Sequence, residues 1–235
     1  VVIPTYQHAR SLPGCLDSVL KQQNVRTEII VVNDGSTDNT EEVLAPYRNR
    51  AHIITQQNQG GNPARNRGLA EAKGEFIIFC DADAVMRPDM LAKMLAMLQA
   101  HPDASIAYSG FYFGWKHFPG VPWNADRLRR VNFIHTTSLV RRADFPGFDN
   151  AVRRFQDWDV WLTMLEQGKS AVLVPETLFL CVIDGESRTG SSWLPSFVYR
   201  LPWKFLGWKP ERVAKYELAR EVIVKKHKLE PLNKN

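Results

Sequence analysis

Short apolar runs alternate with segments in which apolar residues recur every three to four positions, and this rhythm organises the first hundred residues. Val1, Val2 and Ile3 form a strand stub. Residues 11–23 then place Leu12, Leu16, Val19 and Leu20 on one helical face, with Ser11 as candidate cap and Pro13 in the first turn. Glu28-Ile29-Ile30-Val31-Val32-Asn33-Asp34 reads as a second strand, followed by a helix near residues 40–47. Residues 51–56 predict a strand, residues 63–72 a helix ended by Gly74, and residues 75–81 a central strand. Met90, Leu91, Met94, Leu95 and Leu98 form the apolar face of the next helix. Strands separated by crossover helices imply an α/β fold, Rossmann-like, with a largely parallel central sheet flanked by helices.

Beyond residue 105 the pattern loosens. Residues 110–122 are rich in aromatics, Gly and Pro, which suits either a loop on an acceptor side or an irregular structural connection. Residues 136–141 predict a strand, residues 157–167 a helix ending at Gly168, and residues 171–174 and 178–183 two short strands. From Trp193 the composition shifts: between Tyr199 and Lys228 there are nine Lys or Arg against three Glu, interleaved with Trp203, Phe205, Leu206 and Trp208. The expected organisation is a domain over residues 1–192, its nucleotide-binding part about 1–110 and its acceptor part about 111–192. A basic, aromatic, helical C-terminal extension follows over residues 193–235.

At 235 residues, 44% hydrophobic and 23% charged, the chain has ordinary globular composition and length for a substantial core. No run of about eighteen apolar residues occurs, so no membrane span is expected. The chain opens on strand residues without an initiator methionine, so a few native residues are expected to precede it, and a signal or anchor outside the fragment stays open. Cys15, Cys80 and Cys181 lie in apolar settings without metal spacing and read as buried thiols in a reducing compartment. The expected location is cytoplasmic, with peripheral contact at the inner face of the membrane through the extension as one reading. Basic residues beside interfacial aromatics suit anionic lipid; the other reading is a helix packed on the domain with a solvated basic face. No nucleic-acid recognition module is present.

The chemistry concentrates where strands end. Phe76-Ile77-Ile78-Phe79-Cys80-Asp81-Ala82-Asp83 is an apolar strand closing on two carboxylates one residue apart. On an extended backbone Asp81 and Asp83 point to one side, and such a pair suits a Mg²⁺ or Mn²⁺ ion shared with substrate phosphates. The strand ending at Asp34, followed by Gly35-Ser36-Thr37-Asp38, is a second acidic terminus. In open α/β sheets ligands bind beyond the carboxyl ends of strands, so Asp34, Asp81 and Asp83 could line one crevice.

The ordered series Val1-Val2-Ile3-Pro4-Thr5-Tyr6, Val31-Val32-Asn33-Asp34-Gly35-Ser36-Thr37-Asp38, Asn58-Gln59-Gly60 with Ala64-Arg65-Asn66-Arg67-Gly68, and Asp81-Ala82-Asp83 resembles the family 2 glycosyltransferases of the GT-A fold. Pro146-Gly147-Phe148-Asp149 and Gln156-Asp157-Trp158-Asp159-Val160-Trp161-Leu162 resemble that family's G-F-D and E-D-W-D-L-W-L segments, so the likeness spans residues 1 to about 185. It implies an inverting, metal-dependent transfer of a sugar from a nucleotide-sugar donor, UDP- or dTDP-linked, to a glycan or lipid-linked glycan hydroxyl, in bacterial cell-surface polysaccharide or glycoconjugate synthesis. Pro4, Thr5, Tyr6, Asp34 and Arg65 would surround base and ribose, Asp34 accepting a base N–H. Asp81, with Ala82 beside it, would face ribose or sugar, and Asp83 would ligate the metal. Asp157 would be the general base, with Asp159 as the second candidate.

Each role has a structural counterpart: turn capping for Asp34, a surface ion pair for Arg65, an N-cap for Asp157. The chain also departs from the family. Gln156 stands where the motif carries Glu, which removes one reason for a raised Asp157 pKa. After the last strand, Asp184 and Glu186 stand where relatives place cations, leaving Arg188 as the nearest basic group able to close over phosphate, or else a solvated loop arginine. Two further readings stay open at this point, a noncatalytic nucleotide-sugar or glycan binder and a nucleotidyltransferase. The latter normally shows a Gly-rich loop near the N-terminus, and residues 1–10 have none.

Overall fold

The computed structural model describes residues 1–183 and 210–230. Three parallel strands, β1 (Val2–Thr5), β2 (Ile30–Asn33) and β3 (His52–Thr55), pair in that order. The sheet continues past β1, because Val2 N donates to Ile78 O at 2.9 Å and Cys80 N donates to Val2 O at 2.9 Å. Helices α1 (Leu12–Leu20), α2 (Thr40–Leu44) with a 3₁₀ turn at Ala45–Tyr47, and α3 (Gly61–Glu71) make the crossovers. Helix α3 starts and stops within two residues of the expected positions, α1 ends at Leu20, three residues short of the expected end, and Pro46 tightens the end of α2 into the 3₁₀ turn.

The other half of the sheet is mixed. Strands β4 (Phe76–Ile77), β8 (Leu139–Arg141), β6 (Ala104–Phe113), β9 (Ser170–Cys181) and β5 (Ala84–Met86) lie in that order, with β7 (Lys116–Phe118) hairpinned onto β6. Strand β8 runs antiparallel to both its neighbours, and only β6 and β9 pair in parallel. The aromatic, Gly-rich stretch read as a loop is therefore largely strand. The two short strands expected at 171–174 and 178–183 are one strand that ends at Cys181, bulged against β6 where Pro175 and Glu176 interrupt the apolar run.

Two apolar layers sandwich the sheet. On one face α1 and α4 (Met90–Ala100) contribute Leu12, Leu16, Met90, Met94 and Leu98. On the other, α3 contributes Ala64 and α6 (Gln156–Glu166) contributes Trp158 and Trp161, whose indole N–H groups bond Leu128 O and Ile134 O at 2.7 and 3.0 Å. Helix α5 (Ala125–Arg130) carries Leu128 into this layer. Helix α3 lies so near β1 that a Cβ on Gly68 would come within 2.3 Å of Val2 Cγ1. Helix α7 (Glu211–Lys226), from the expected extension, joins this second layer through buried Ile223. No helix among the described residues is long and apolar enough to cross a membrane. Trp203, Lys204, Phe205, Trp208 and Lys209, the side chains on which the lipid reading depends, lie outside the described residues, as does Arg188.

Candidate active site

The carboxyl ends of β1 and β2 are stitched together before any ligand arrives. Asp34 N donates to Thr5 O at 2.9 Å. Gln7, left-handed at φ +59°, receives Thr37 N and Asp38 N on its side-chain oxygen at 2.8 and 3.0 Å. The turn at Gly35 requires glycine, with φ +75° and a would-be Cβ only 2.8 Å from Asn58 N. Asp34 is buried and does not cap this turn. It accepts Gln56 Nε2 at 2.7 Å, Gln59 N at 3.0 Å and Gly60 N at 2.7 Å, holding the N-terminus of α3. A carboxylate has about four acceptor positions, so one remains for an incoming N–H.

Arg65 projects from α3 onto the end of the central strand. Its Nη2 donates to Asp81 Oδ1 at 2.8 Å, and its guanidinium lies over the Phe148 ring at 5.4 Å. At 14% side-chain exposure this is no surface ion pair. Burial opposes ionisation of Asp81, but the charges of Arg65 and His135 outweigh it and hold its carboxyl below the ordinary aspartate range. Among the described residues, the buried side-chain atoms without a hydrogen-bond partner include Thr5 Oγ1 and Arg65 Nε, both from residues expected to touch nucleotide. Buried polar atoms are ordinarily paired, so such an atom in a crevice is one that water or a ligand atom can satisfy.

Asp81, Ala82 and Asp83 form a turn closed by Ala84 N donating to Asp81 O at 2.8 Å, so strand alternation does not set the two carboxylates' directions. Both nonetheless act on one thiol: burial, then the charges of Asp83 and Asp81, push Cys181 far up. No group of three His, Cys, Asp or Glu among the described residues could hold a metal ion alone. Two carboxylates still fit a hard divalent cation that takes its other oxygens from water and a diphosphate. Asp81 is paired with Arg65, and Asp83, the metal ligand expected from the family resemblance, is buried beside it at 9% exposure.

The acceptor half is built around the first turn of α6. Phe155 enters it left-handed at φ +59°, an uncommon state for an aromatic residue, packing edge-on against Trp158 and Tyr216. Asp157 sits inside the helix rather than at the N-cap. Its Oδ2 accepts Asn132 Nδ2 at 2.7 Å and its Oδ1 accepts Trp158 N at 2.9 Å. Burial raises its pKa against the pull of His135, the Trp158 N–H, Asn132 and Arg65. The pKa is thus raised without a charged neighbour at position 156, where Gln156 donates to Arg153 O at 2.8 Å.

Asp159 is placed elsewhere. Its carboxylate accepts Lys226 Nζ and His227 Nε2, both at 2.8 Å, so its partners are on α7 rather than in the crevice. Tyr6 and Pro4 are half-buried at the β1 end, and Ala82 is buried in the turn.

Sequence reasoning missed His135 and Asn132. His135 receives Thr137 N on Nδ1 at 3.0 Å, has Cys181 Sγ 3.7 Å from Nε2, and lies tilted against the rings of Phe111 and Phe179. Burial lowers its pKa, opposed by the charges of Asp81 and Asp157, so it stands electrically between the two halves of the site. The available signal was a lone imidazole in Phe133-Ile134-His135-Thr136-Thr137.

These features define a crevice at the strand ends of an α/β sheet, with two closely spaced carboxylates, Asp81 and Asp83, on one side and the half-buried Asp157, of raised pKa, on the other. The sequence profile of glycosyl transferase family 2 matches residues 1–159, and the chain belongs to that family. The putative teichuronic acid biosynthesis glycosyltransferase TuaG of Bacillus subtilis is 27% identical over 85% of this chain and 86% of its own. The structure of TarS (residues 1–349) from S. aureus in complex with UDP-GlcNAc superposes with TM-score 0.70 at 20% identity over 97% of this chain and 72% of that one. The mannosyltransferase PcManGT from Pyrobaculum calidifontis, in complex with GDP-Man and Mn²⁺, gives 0.65 at 19% over 94% and 68%. Against two other bacterial glycosyltransferases the chain spans 38% and 42% of their length.

Proposed function

We propose that this protein transfers a sugar from a uracil- or thymine-nucleotide donor to an acceptor hydroxyl by a single inverting displacement, in the synthesis of a cell-surface glycan. The observation that carries the reading is Asp157: a half-buried carboxyl held by Asn132, its pKa raised by desolvation, in electrostatic reach of the same Arg65 and His135 that act on Asp81. One half of the crevice suits the donor and the other can take a proton from the acceptor.

Thr5 Oγ1, the last acceptor position on Asp34 and Arg65 Nε would meet base and ribose. The sugar would lie toward Asp81. The complexes with UDP-GlcNAc and GDP-Man in structurally similar proteins support a nucleotide-sugar donor, and the Mn²⁺ complex supports a divalent ion. Bound at Asp83, Mn²⁺ or Mg²⁺ would neutralise diphosphate charge as it develops. Asp157 takes the hydroxyl proton, the freed oxygen bonds the anomeric carbon, and the bond from that carbon to phosphate oxygen breaks, its electron pair leaving with the nucleoside diphosphate. The test is release of nucleoside diphosphate from UDP- and dTDP-sugars with Mn²⁺, by native protein and by Asp157→Asn. The native protein should release it and the variant should be slower by about two to four orders of magnitude. Equal rates would move the base away from Asp157.

A further inference from the structure

We propose that Lys226 and His227, at the C-terminal end of α7, are positioning residues that hold the Asp157 carboxylate in place, making this helix part of the catalytic apparatus. The proposal rests on the reading of Asp157 as the base. Residues two apart on a helix face different ways, so while Asp157 meets Asn132, Asp159 points into the seam between α6 and α7. There it is buried, with 3% of its side chain exposed, and accepts Lys226 Nζ and His227 Nε2, each at 2.8 Å.

The same cations reach further. His227 Nδ1 lies 2.8 Å from Glu166 Oε1. With a carboxylate at each ring nitrogen, both nitrogens must carry protons to donate both bonds. Donating to these two carboxylates raises the imidazole pKa against its burial, which agrees with that state. Lys226 Nζ also donates to Asp149 Oδ2 at 2.6 Å. Asp149 belongs to the loop whose backbone carbonyls Phe148 O, Asp149 O and Val152 O are gripped by Asn66 and Asn62 of α3, the helix that presents Arg65. One ammonium group thus ties the first turn of α6 to the loop that faces α3.

Helix α7 touches both flanks of the base as well. Tyr216 packs edge-on against Phe155 at 5.2 Å and the Arg220 guanidinium lies 5.9 Å over Trp158, the residues just before and just after Gln156-Asp157. Without Lys226, Asp159 keeps too little counter-charge for its depth and pulls toward water. It sits in the same helical turn as Asp157, so that movement displaces the base. Misplacement of a reacting group by about 1 Å can cost on the order of 100-fold in rate.

A purely structural role makes a different forecast, and the full 235-residue chain separates the two. Lys226→Met, Lys226→Arg, His227→Gln, Asp157→Asn and the Asp157→Asn/Lys226→Met double variant are compared for circular dichroism, calorimetric binding of UDP with Mn²⁺, and UDP release from UDP-GlcNAc or whichever UDP-sugar the native protein turns over. The expected result is Lys226→Met folded, binding UDP within about twofold of native, and turning over about tenfold or more slower. Lys226→Arg should recover most of the rate, and Lys226→Met should cost nothing further in the Asp157→Asn background, because residues acting through one group are not additive. Native turnover in folded Lys226→Met, or the same fold-loss in both backgrounds, overturns the proposal. Should Lys226→Met not fold, His227→Gln, which keeps the Lys226 pair, is judged by the same two criteria. Native turnover in Asp157→Asn sinks the base reading itself, whereas an inactive Asp157→Asn beside a fully active Lys226→Met sinks only the clamp.

Discussion

Asp157 and Asp159 stand two positions apart in the first turn of α6, and their surroundings treat them in opposite ways. Asp159 is given two cations; Asp157 is given an asparagine amide and one backbone N–H, which satisfy hydrogen bonds without supplying charge. That difference is why the proposed reaction assigns the proton to Asp157. Because burial raises its pKa, activity should fall on acidification at a pH above the ordinary aspartate value, as the base becomes protonated; a kcat profile whose acid limb lies at or below about pH 4 would contradict this. At the other end of the crevice Asp83→Ala should remove Mn²⁺-dependent strengthening of UDP binding, since the ion loses its protein anchor while the diphosphate stays anionic. Calorimetry with and without Mn²⁺ reads this directly, and an unchanged metal dependence would place the ion elsewhere. Asp81 and Arg65 were legible in the sequence because order and spacing marked them. His135 and Asn132 were not, because their value comes from β9 and α6 packing beside them, which no local pattern encodes.

Among the elements, α1, α3 and α4 were readable because one apolar face repeats at helical spacing or a turn signal closes the segment. Strand β6 was not: its residues from Ala104 to Gly110 are buried on both faces, so polar alternation is missing, and Ser109, Gly110 and the tyrosines imitate a loop. Gly68 shows why composition also misleads. A helical glycine looks like a weakness, yet it is what lets α3 approach β1 and deliver Arg65 to Asp81. Gly68→Ala should destabilise by about 1–3 kcal/mol through overpacking against Val2, measured by urea unfolding. Helix α7 carries a pH signature. The raised His227 pKa means its stabilisation is complete below the unfolded value of about 6.5 and fades as pH rises through the folded value. The gap in melting temperature between native and His227→Gln should therefore be widest near pH 6 and narrow toward pH 9; a gap that widens with pH would show the opposite linkage.

At the scale of the molecule, the parallel half of the sheet gathers at its strand ends the residues proposed to meet the donor, and α6, packed in the second apolar layer, carries Asp157. The α/β plan followed from the alternation of strands and helices. The mixed half did not, since α4, α5 and α6 separate its strands just as crossover helices would, and the apolar pattern does not tell antiparallel from parallel pairing. The central claim is that the crevice is a nucleoside diphosphate and metal site. Ligands that bind only the native state raise its melting point: at a hundredfold excess over Kd the gain is about 2.7 kcal/mol, or roughly 5–10 °C for a chain of this size. The most direct measurement is a thermal-shift panel of UDP, dTDP, GDP, ADP and the corresponding nucleotide sugars, each with and without Mn²⁺. The account predicts a clear rise with UDP or dTDP species, larger with Mn²⁺ and lost in Asp83→Ala. No rise with any nucleoside diphosphate, or a rise unaffected by Mn²⁺ and by Asp83→Ala, would contradict it.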